Sequence, residues 1–328
     1  TSPFVLVDII GGIALLTAFA IIERRVAQPM FHLELFKIRA FTAGNAAGLF
    51  SSIGRGGLQF MLIIWLQGIW LPLHGYDFER TPLWAGIYML PLTAGFLVAG
   101  PLAGRLSDKY GARGFATSGM LLGASSFFML LFVHADFSYW VFAALIFLNG
   151  VGTGMFFPPN TTGIMNSVPA EQRGAASGMR ATFQNSGQVL SVGVFFSLMI
   201  IGLASTLPNT MRKALVSQGV SLQVATKVAN SPPVGNLFAA FLGFNPMKTI
   251  VPAAELAKLT PAQSATITGK TFFPHLISDP FMHGMRIAFT FSLVLYLVAA
   301  IASRMRGSRT PLPIDERELA NAIEDAIG

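Results

Sequence analysis

Apolar residues fall in blocks along this chain, and the blocks are too long for the helices of a soluble domain. Seven of them, at about 4–22, 41–71, 84–105, 114–133, 138–158, 175–204 and 282–303, meet or exceed the roughly 20 residues a helix needs to cross a bilayer core. Short polar stretches separate most of them, so the pattern predicts an all-α polytopic membrane protein. The first block ends at Glu23-Arg24-Arg25 and has neither a basic leader nor a small-residue cleavage site, which makes it an internal span. Thr1 stands where an initiator methionine would, and the expectation is a chain that starts partway through a longer protein.

The long interval 205–280 carries its own pattern. Residues 209–230 alternate apolar and polar positions at helical spacing up to Ser231-Pro232-Pro233, which predicts a surface helix. Residues 237–244 are apolar but too short to span, so they lie on the outer membrane face or fold back over the bundle. The tail 307–328, with Pro311, Pro313 and the acidic run Asp315-Glu316-Arg317-Glu318, reads as a soluble end.

Composition agrees with the blocks: 53% of residues are hydrophobic and 11% charged, and the mean hydropathy is +0.60. The net charge of +7 changes the picture only through its placement. The cations form no stripe with interleaved aromatics, which excludes nucleic acid as a partner; they cluster in alternate connections. Arg24, Arg25, Lys37 and Arg39, then Arg105, Lys109 and Arg113, then Arg173, then Arg304, Arg306 and Arg309 stand against a lone Arg80 in the two short connections of opposite parity. That asymmetry puts the C-terminus in the cytoplasm of a multi-pass protein of the plasma (inner) membrane.

No cysteine is present, so there is no disulfide framework, and the five histidines are scattered along the sequence, so no metal site and no cofactor is expected. The acids in or beside spans are Asp8, Asp136 and Asp279 toward the outer side and Glu23 and Asp108 at cytoplasmic ends; His32, His74, His134, His275 and His283 fall in loops or at span ends. Acid–base catalysis needs such groups to converge, so an enzyme is not expected.

Between the third and fourth blocks lies Gly100-Pro101-Leu102-Ala103-Gly104-Arg105-Leu106-Ser107-Asp108-Lys109-Tyr110-Gly111-Ala112-Arg113, a charged turn. Glycines four apart allow close helix approach, Asp108 can cap the next helix, and the cations hold the turn on one side. The turn resembles motif A of the major facilitator superfamily, in its second copy. Gly150-Val151-Gly152-Thr153-Gly154 through Asn160, Val168-Pro169-Ala170-Glu171-Gln172-Arg173-Gly174, and the passage from Arg24 to Phe41 resemble the fourteen-span drug:proton antiporters of that superfamily.

The resemblance implies one central helix and cytoplasmic linker (1–39), a C-terminal six-helix half (40–306) with its long extracytoplasmic loop at 205–280, and an absent N-terminal half. It implies efflux of amphipathic small molecules by alternating access, with a proton as coupling ion. In motif A it implies a gate, where Asp108 meets a helix N-terminus of the other half and Arg105 and Arg113 join a charge network; the plainer reading is a helix cap with positive-inside residues.

Polar residues inside spans are costly unless they face a cavity or a partner. Arg55 stands some 14 residues, about 21 Å, into its block among Gly54, Gly56 and Gly57, with Gln59 one turn on. It either draws an anionic group into a cavity or is a structural cation bound to backbone carbonyls. Ser177, Arg180, Gln184, Gln188 and Ser191 share one helical face, with an inter-half seam expected at Arg180 and a cavity wall at Gln184 and Gln188. Asn149 is a further cavity candidate, or a helix–helix hydrogen bond. None of the deep positions is a carboxylate, so a proton carrier is expected outside this chain. An anionic or zwitterionic metabolite is the alternative substrate, and a non-transporting accessory half-bundle the alternative function.

Overall fold

The computed structural model describes residues 3–23, 25–26, 29, 31–243 and 245–307. The expectations placed on Arg24, Phe244, Arg309 and the tail beyond Gly307 lie outside the described residues. Among those described, helices α1 (Pro3–Glu23), α2 (Arg39–Trp65), α3 (Thr81–Tyr88), α4 (Leu90–Tyr110), α5 (Ala112–Leu130), α6 (Tyr139–Met165), α7 (Arg173–Ser217), α8 (Leu222–Ala229), α9 (Pro233–Leu242), α10 (Pro261–Thr268) and α11 (Phe272–Arg304) make up most of the fold, and there is no strand.

Helix α1 is apolar all round and exposed along its length, with Leu15 at 74% and Leu16 at 70%, so its solvent is lipid. Glu23 ends it by accepting the Phe31 backbone N–H, and Phe31 packs edge-on against Phe19 and against Phe183 of α7.

The other long helices pack through small residues, as membrane helices must when lipid gives no hydrophobic drive to associate. A Cβ placed on Gly150 of α6 would lie 2.0 Å from the Leu92 carbonyl oxygen, and one on Gly95 of α4 would lie 2.3 Å from that of Phe147. Gly119 and Gly152 bring α5 onto α6 in the same way, Gly57 meets Ser191 of α7, and Gly202 of α7 meets Gly284 of α11. Hydroxyls stitch these crossings: Ser126 donates to the Leu145 carbonyl at 2.8 Å and Ser292 to that of Gly54 at 2.9 Å. Ser191 accepts the Gly57 N–H at 2.7 Å and donates to the Ile53 carbonyl, the two groups that pair with each other in an uninterrupted helix.

Four expectations change. Among the described residues, six helical stretches are long and apolar enough to cross a membrane, and the block at 114–133 is not one of them, although α5 is packed in the bundle. Its Thr117, Ser125 and Ser126 dilute its hydropathy, and two of these hydroxyls reach neighbours, Thr117 to Ser303 of α11 and Ser126 to Leu145 of α6. The interval 205–280 is mostly not loop, because α7 runs on to Ser217 and α11 starts at Phe272. The surface helix expected over 209–230 is therefore split at Gly219, whose φ of +89° breaks it between the end of α7 and α8.

In the charged turn, Asp108 lies inside the last turn of α4, and α5 starts from Gly111. Gly111 has φ +96°, a conformation that costs a residue with a Cβ about 1 kcal/mol or more. Gly100 and Gly104 stand at ordinary contact distance from Pro158, so the close approach comes from Gly95, Gly150 and Gly154 instead.

Of the two placements open to the short apolar stretch after residue 236, α9 takes the second. Gln67 donates to the Phe241 carbonyl at 3.1 Å, and a Cβ on Gly68 would lie 2.3 Å from the Ala240 carbonyl oxygen. The helix of Gly68 is widened to a π-turn over Leu66–Trp70 just there, where Pro72 has no N–H for the Gly68 carbonyl.

Candidate functional site

Both ends of the bundle can be assigned from contacts. Arg39 donates to the Met305 carbonyl at 2.6 Å, and Gly163 abuts Arg306 and Ala112, so the cationic connections gather at one end. His74, the turn 133–138 and the start of α11 form the other.

Between the ends, on a face flanked by exposed residues of α7, lies a cleft of about 640 Å³. Arg55 enters it from α2, Phe96 from α4, Phe157, Thr161 and Thr162 from α6, and Arg180 from α7. The tight α4–α6 crossing sets Phe96 and Phe157 near each other, and the Arg55 guanidinium sits 5.4 Å from the centre of the Phe157 ring. Such stacking stabilises a cation by about 0.5–2 kcal/mol and still leaves its N–H groups available. Arg180 donates to Gln184 Oε1 at 2.8 Å, while Arg180 Nε and Gln184 Nε2 are buried without partners. Neither guanidinium pairs with a carboxylate among the described residues, and no acid lines the cleft. Two fixed cations beside two aromatic rings can hold a planar or apolar group with a negative charge.

The sequence left Arg55 open between a cavity cation and a structural one and expected Arg180 in a seam, and the fold brings them to one wall. The other candidates scatter around it. Gln184 is half-buried beside Arg180, Gln188 is exposed with its stem against Gly56, Gln59 is exposed on α2, and Asn149 is buried with its amide nitrogen unpartnered. In the charged turn, Arg105, Asp108 and Arg113 are exposed. Phe96, Phe157, Thr161 and Thr162 were missed, because one Phe among 29 carries no signal without the α4–α6 crossing.

Residues 1–192 match the Major Facilitator Superfamily. The chain belongs to that superfamily. Members of that superfamily are multi-pass membrane transporters. The chain is 26% identical over 299 residues to the tetracenomycin C resistance and export protein of Streptomyces glaucescens, covering 91% of this chain and 49% of that protein. It is 27% identical over 228 residues to a methyl viologen resistance protein of Salmonella typhimurium (69% and 44% covered), and 28% identical over 189 residues to a riboflavin transporter of Clostridioides difficile (57% and 40%). The chain spans about half the length of the curated relatives it matches, or less. Its cleft lies between the bundle ends, where major facilitator proteins bind substrate between two halves.

Proposed function

We propose that this chain is one wall of a secondary-active exporter that moves amphipathic small molecules out of the cell by alternating access against a second six-helix bundle. The cleft carries the reading, since it is open on the side where α7 is exposed and holds two cations that no carboxylate among the described residues pairs with. Relatives named for tetracenomycin C export and methyl viologen resistance support efflux of small organic compounds. In this reading Arg55 and Arg180 hold an anionic group of the substrate, Phe96 and Phe157 its apolar face, and Gln184 and Gln188 extend the polar wall along α7. The charged turn with Arg105, Asp108 and Arg113 faces the cytoplasm, with the C-terminus, and gates the cleft against the facing bundle. Proton coupling is part of the proposal, with its carrier supplied by that bundle, because the acids near this chain's spans lie at helix ends.

The test is export by the complete transporter in membrane vesicles, with Arg55→Ala and Arg180→Ala compared for organic anions and cationic dyes. Loss of a desolvated charge pair is expected to slow anion export about tenfold or more, since each 1.4 kcal/mol is a factor of ten, and to leave cationic dyes little changed. Unaltered transport of both classes would remove the substrate reading. Export that continues unchanged after the pH gradient is collapsed would remove the coupling.

A further inference from the structure

Four of the five histidines, dispersed in the sequence, meet in one place. At the bundle end opposite the charged turn lies a cavity of about 660 Å³. Helix α11 contributes His275, Asp279, His283 and Arg286, spaced 4, 4 and 3 residues apart and so on one face. His74 comes from the end of the helical turns that follow α2 and its π-turn, and His134 and Asp136 from the turn between α5 and α6. The wall from α7 adds no charge, only the hydroxyls of Thr206 and Thr210, and Ser278 adds a third. The sequence hid this because His275 and His283 were assigned to loops or span ends, whereas α11 starts at Phe272 and aligns them on its cavity face.

His74 has a fixed orientation. Its ring stacks on the Trp70 indole with centroids 3.8 Å apart, and Nδ1 lies 2.7 Å from the Trp70 carbonyl oxygen. A carbonyl only accepts, so Nδ1 carries the proton of the neutral ring and Nε2 presents its lone pair to Asp136 Oδ1, 3.4 Å away. Protonating Nε2 turns that contact into an ion pair.

We propose that this cavity is an acid-dependent binding site for a small divalent oxyanion. Histidine is the side chain whose charge ordinarily changes between pH 5 and 8. With the imidazoles neutral, Asp136 and Asp279 outnumber Arg286 and the cavity repels anions. With them protonated, five cations face two carboxylates; His74 is taken by Asp136, and His134, His275, His283 and Arg286 remain against Asp279. That excess of positive charge, carried on exposed side chains around the cavity, draws a counter-anion, and the hydroxyls of Thr206, Thr210 and Ser278, which donate to carbonyls of α7 and α11, line the cavity beside it. A metal ion is a poorer fit, since among the described residues no three His, Asp or Glu are placed to hold one. The site lies at the far end from the gate and uses none of the cleft residues.

The stacked Trp70 reports on the site, because an imidazolium quenches an adjacent indole. The emission lost on Trp70→Phe isolates its signal in the full chain in detergent. Its pH titration is compared in sulfate, a dianion throughout this range, and in chloride at equal ionic strength. Binding to the protonated form alone moves the midpoint upward, by about one pH unit when one proton is coupled and proportionately less when the same binding energy is shared among several, once sulfate is tenfold above its Kd. The His283→Gln/Arg286→Gln double variant is expected to keep the His74 titration and lose the sulfate shift. Equal midpoints in the two salts would overturn the proposal, as would a shift that persists in the double variant. Direct equilibrium binding of labelled sulfate, tight at pH 5.5 and at least tenfold weaker at pH 8, is the second readout; equal binding at both would also overturn it.

Discussion

Replacing Gly150 by Ala puts a methyl group where the fold has no room. The new Cβ would lie 2.0 Å from the Leu92 carbonyl oxygen and 3.0 Å from the Leu92 carbonyl carbon and the Phe96 nitrogen, all backbone of α4. Ordinary contact begins near 3.5 Å, so α4 and α6 must part locally by about 1.5 Å. No flexible side chain stands in the way to yield instead. A gap of even 0.5–1 Å forfeits roughly a quarter to a half of each facing dispersion contact, and Gly95 and Gly154 on the same crossing lose theirs together. Overpacking of this kind costs about 1–3 kcal/mol, and the rigid obstacle places Gly150→Ala at the upper end. The control is Gly193→Ala on α7, where nothing stands within 4 Å and Ala gains about 0.5–1 kcal/mol of helix preference. Equilibrium unfolding of both variants in mixed micelles, followed by helical circular dichroism, is expected to separate them by about 3–4 kcal/mol. Equal stabilities would refute the claim that glycine contact holds α4 on α6.

Arg306 is 8% exposed with all three guanidinium nitrogens unpartnered, and burial pushes it down to about 10, well below the ordinary guanidinium value. At 1.36 kcal/mol per unit that is a cost of about 3 kcal/mol at most, so Arg306→Met is expected to raise stability in the same assay by about 1–3 kcal/mol; a loss would reveal a partner for the charge. Ser191→Ala removes the hydroxyl between Ile53 and Gly57 and is expected to cost about 1 kcal/mol, with no change in the α4–α6 crossing; an unaltered midpoint would show that the bridge adds nothing to stability. The Glu255 carboxyl is held down at about 2 by the Ser221 hydroxyl and then its backbone N–H, with Lys258 adding less. A lowered carboxylate stabilises fully above its unfolded value and loses that contribution as pH falls toward 2, so protection of the Ser221 amide against hydrogen exchange, corrected for intrinsic rate, is expected to fall between about pH 4.5 and 2. Glu255→Gln is expected to remove that pH dependence, and a dependence that survives would place its origin elsewhere.

The membrane class and the helix order were legible because lipid imposes one rule on every span: enough apolar residues to cross, and cations gathered in alternate connections. That rule reads length and not packing. It counted the block at 114–133 among the spans, where Thr117 and Ser126 lower the hydropathy of α5 while bonding neighbouring helices, and it mistook the polar ends of α7 and α11 for loop. A helix that leaves the hydrocarbon no longer needs to be apolar, so hydropathy stops marking it. The cleft was half legible for the same reason. Arg55 and Arg180 stand out because a charge in a span demands an explanation, whereas Phe96 and Phe157 acquire meaning only from the glycine contacts that set α4 against α6. The histidines show the reverse failure, since residues 74, 134 and 275 share no sequence neighbourhood and meet only through tertiary packing.

Exposure along the helices separates two kinds of solvent. On α1 the exposed residues are mostly Ile, Leu, Val, Phe and Ala, with Asp8 and Thr17 among them, and lipid covers the apolar ones at no cost. On the first half of α7 they are Gly174, Ser177, Gly178, Thr182, Asn185 and Ser186, and Gly174 and Gly178 have no neighbour within 4 Å. An amide such as that of Asn185 is disfavoured in hydrocarbon, while glycine and serine are the residues that let two helices touch. The face beside the cleft therefore has the composition of a helix–helix contact without the second helix. Where α7 turns apolar again, at Val189, Leu190 and Val192, the demand for a protein neighbour ends. A facing bundle would thus meet this chain along the stretch of α7 that carries Arg180, and the two unneutralised guanidiniums would lie just inside that contact, where closing and opening it decides whether they face water.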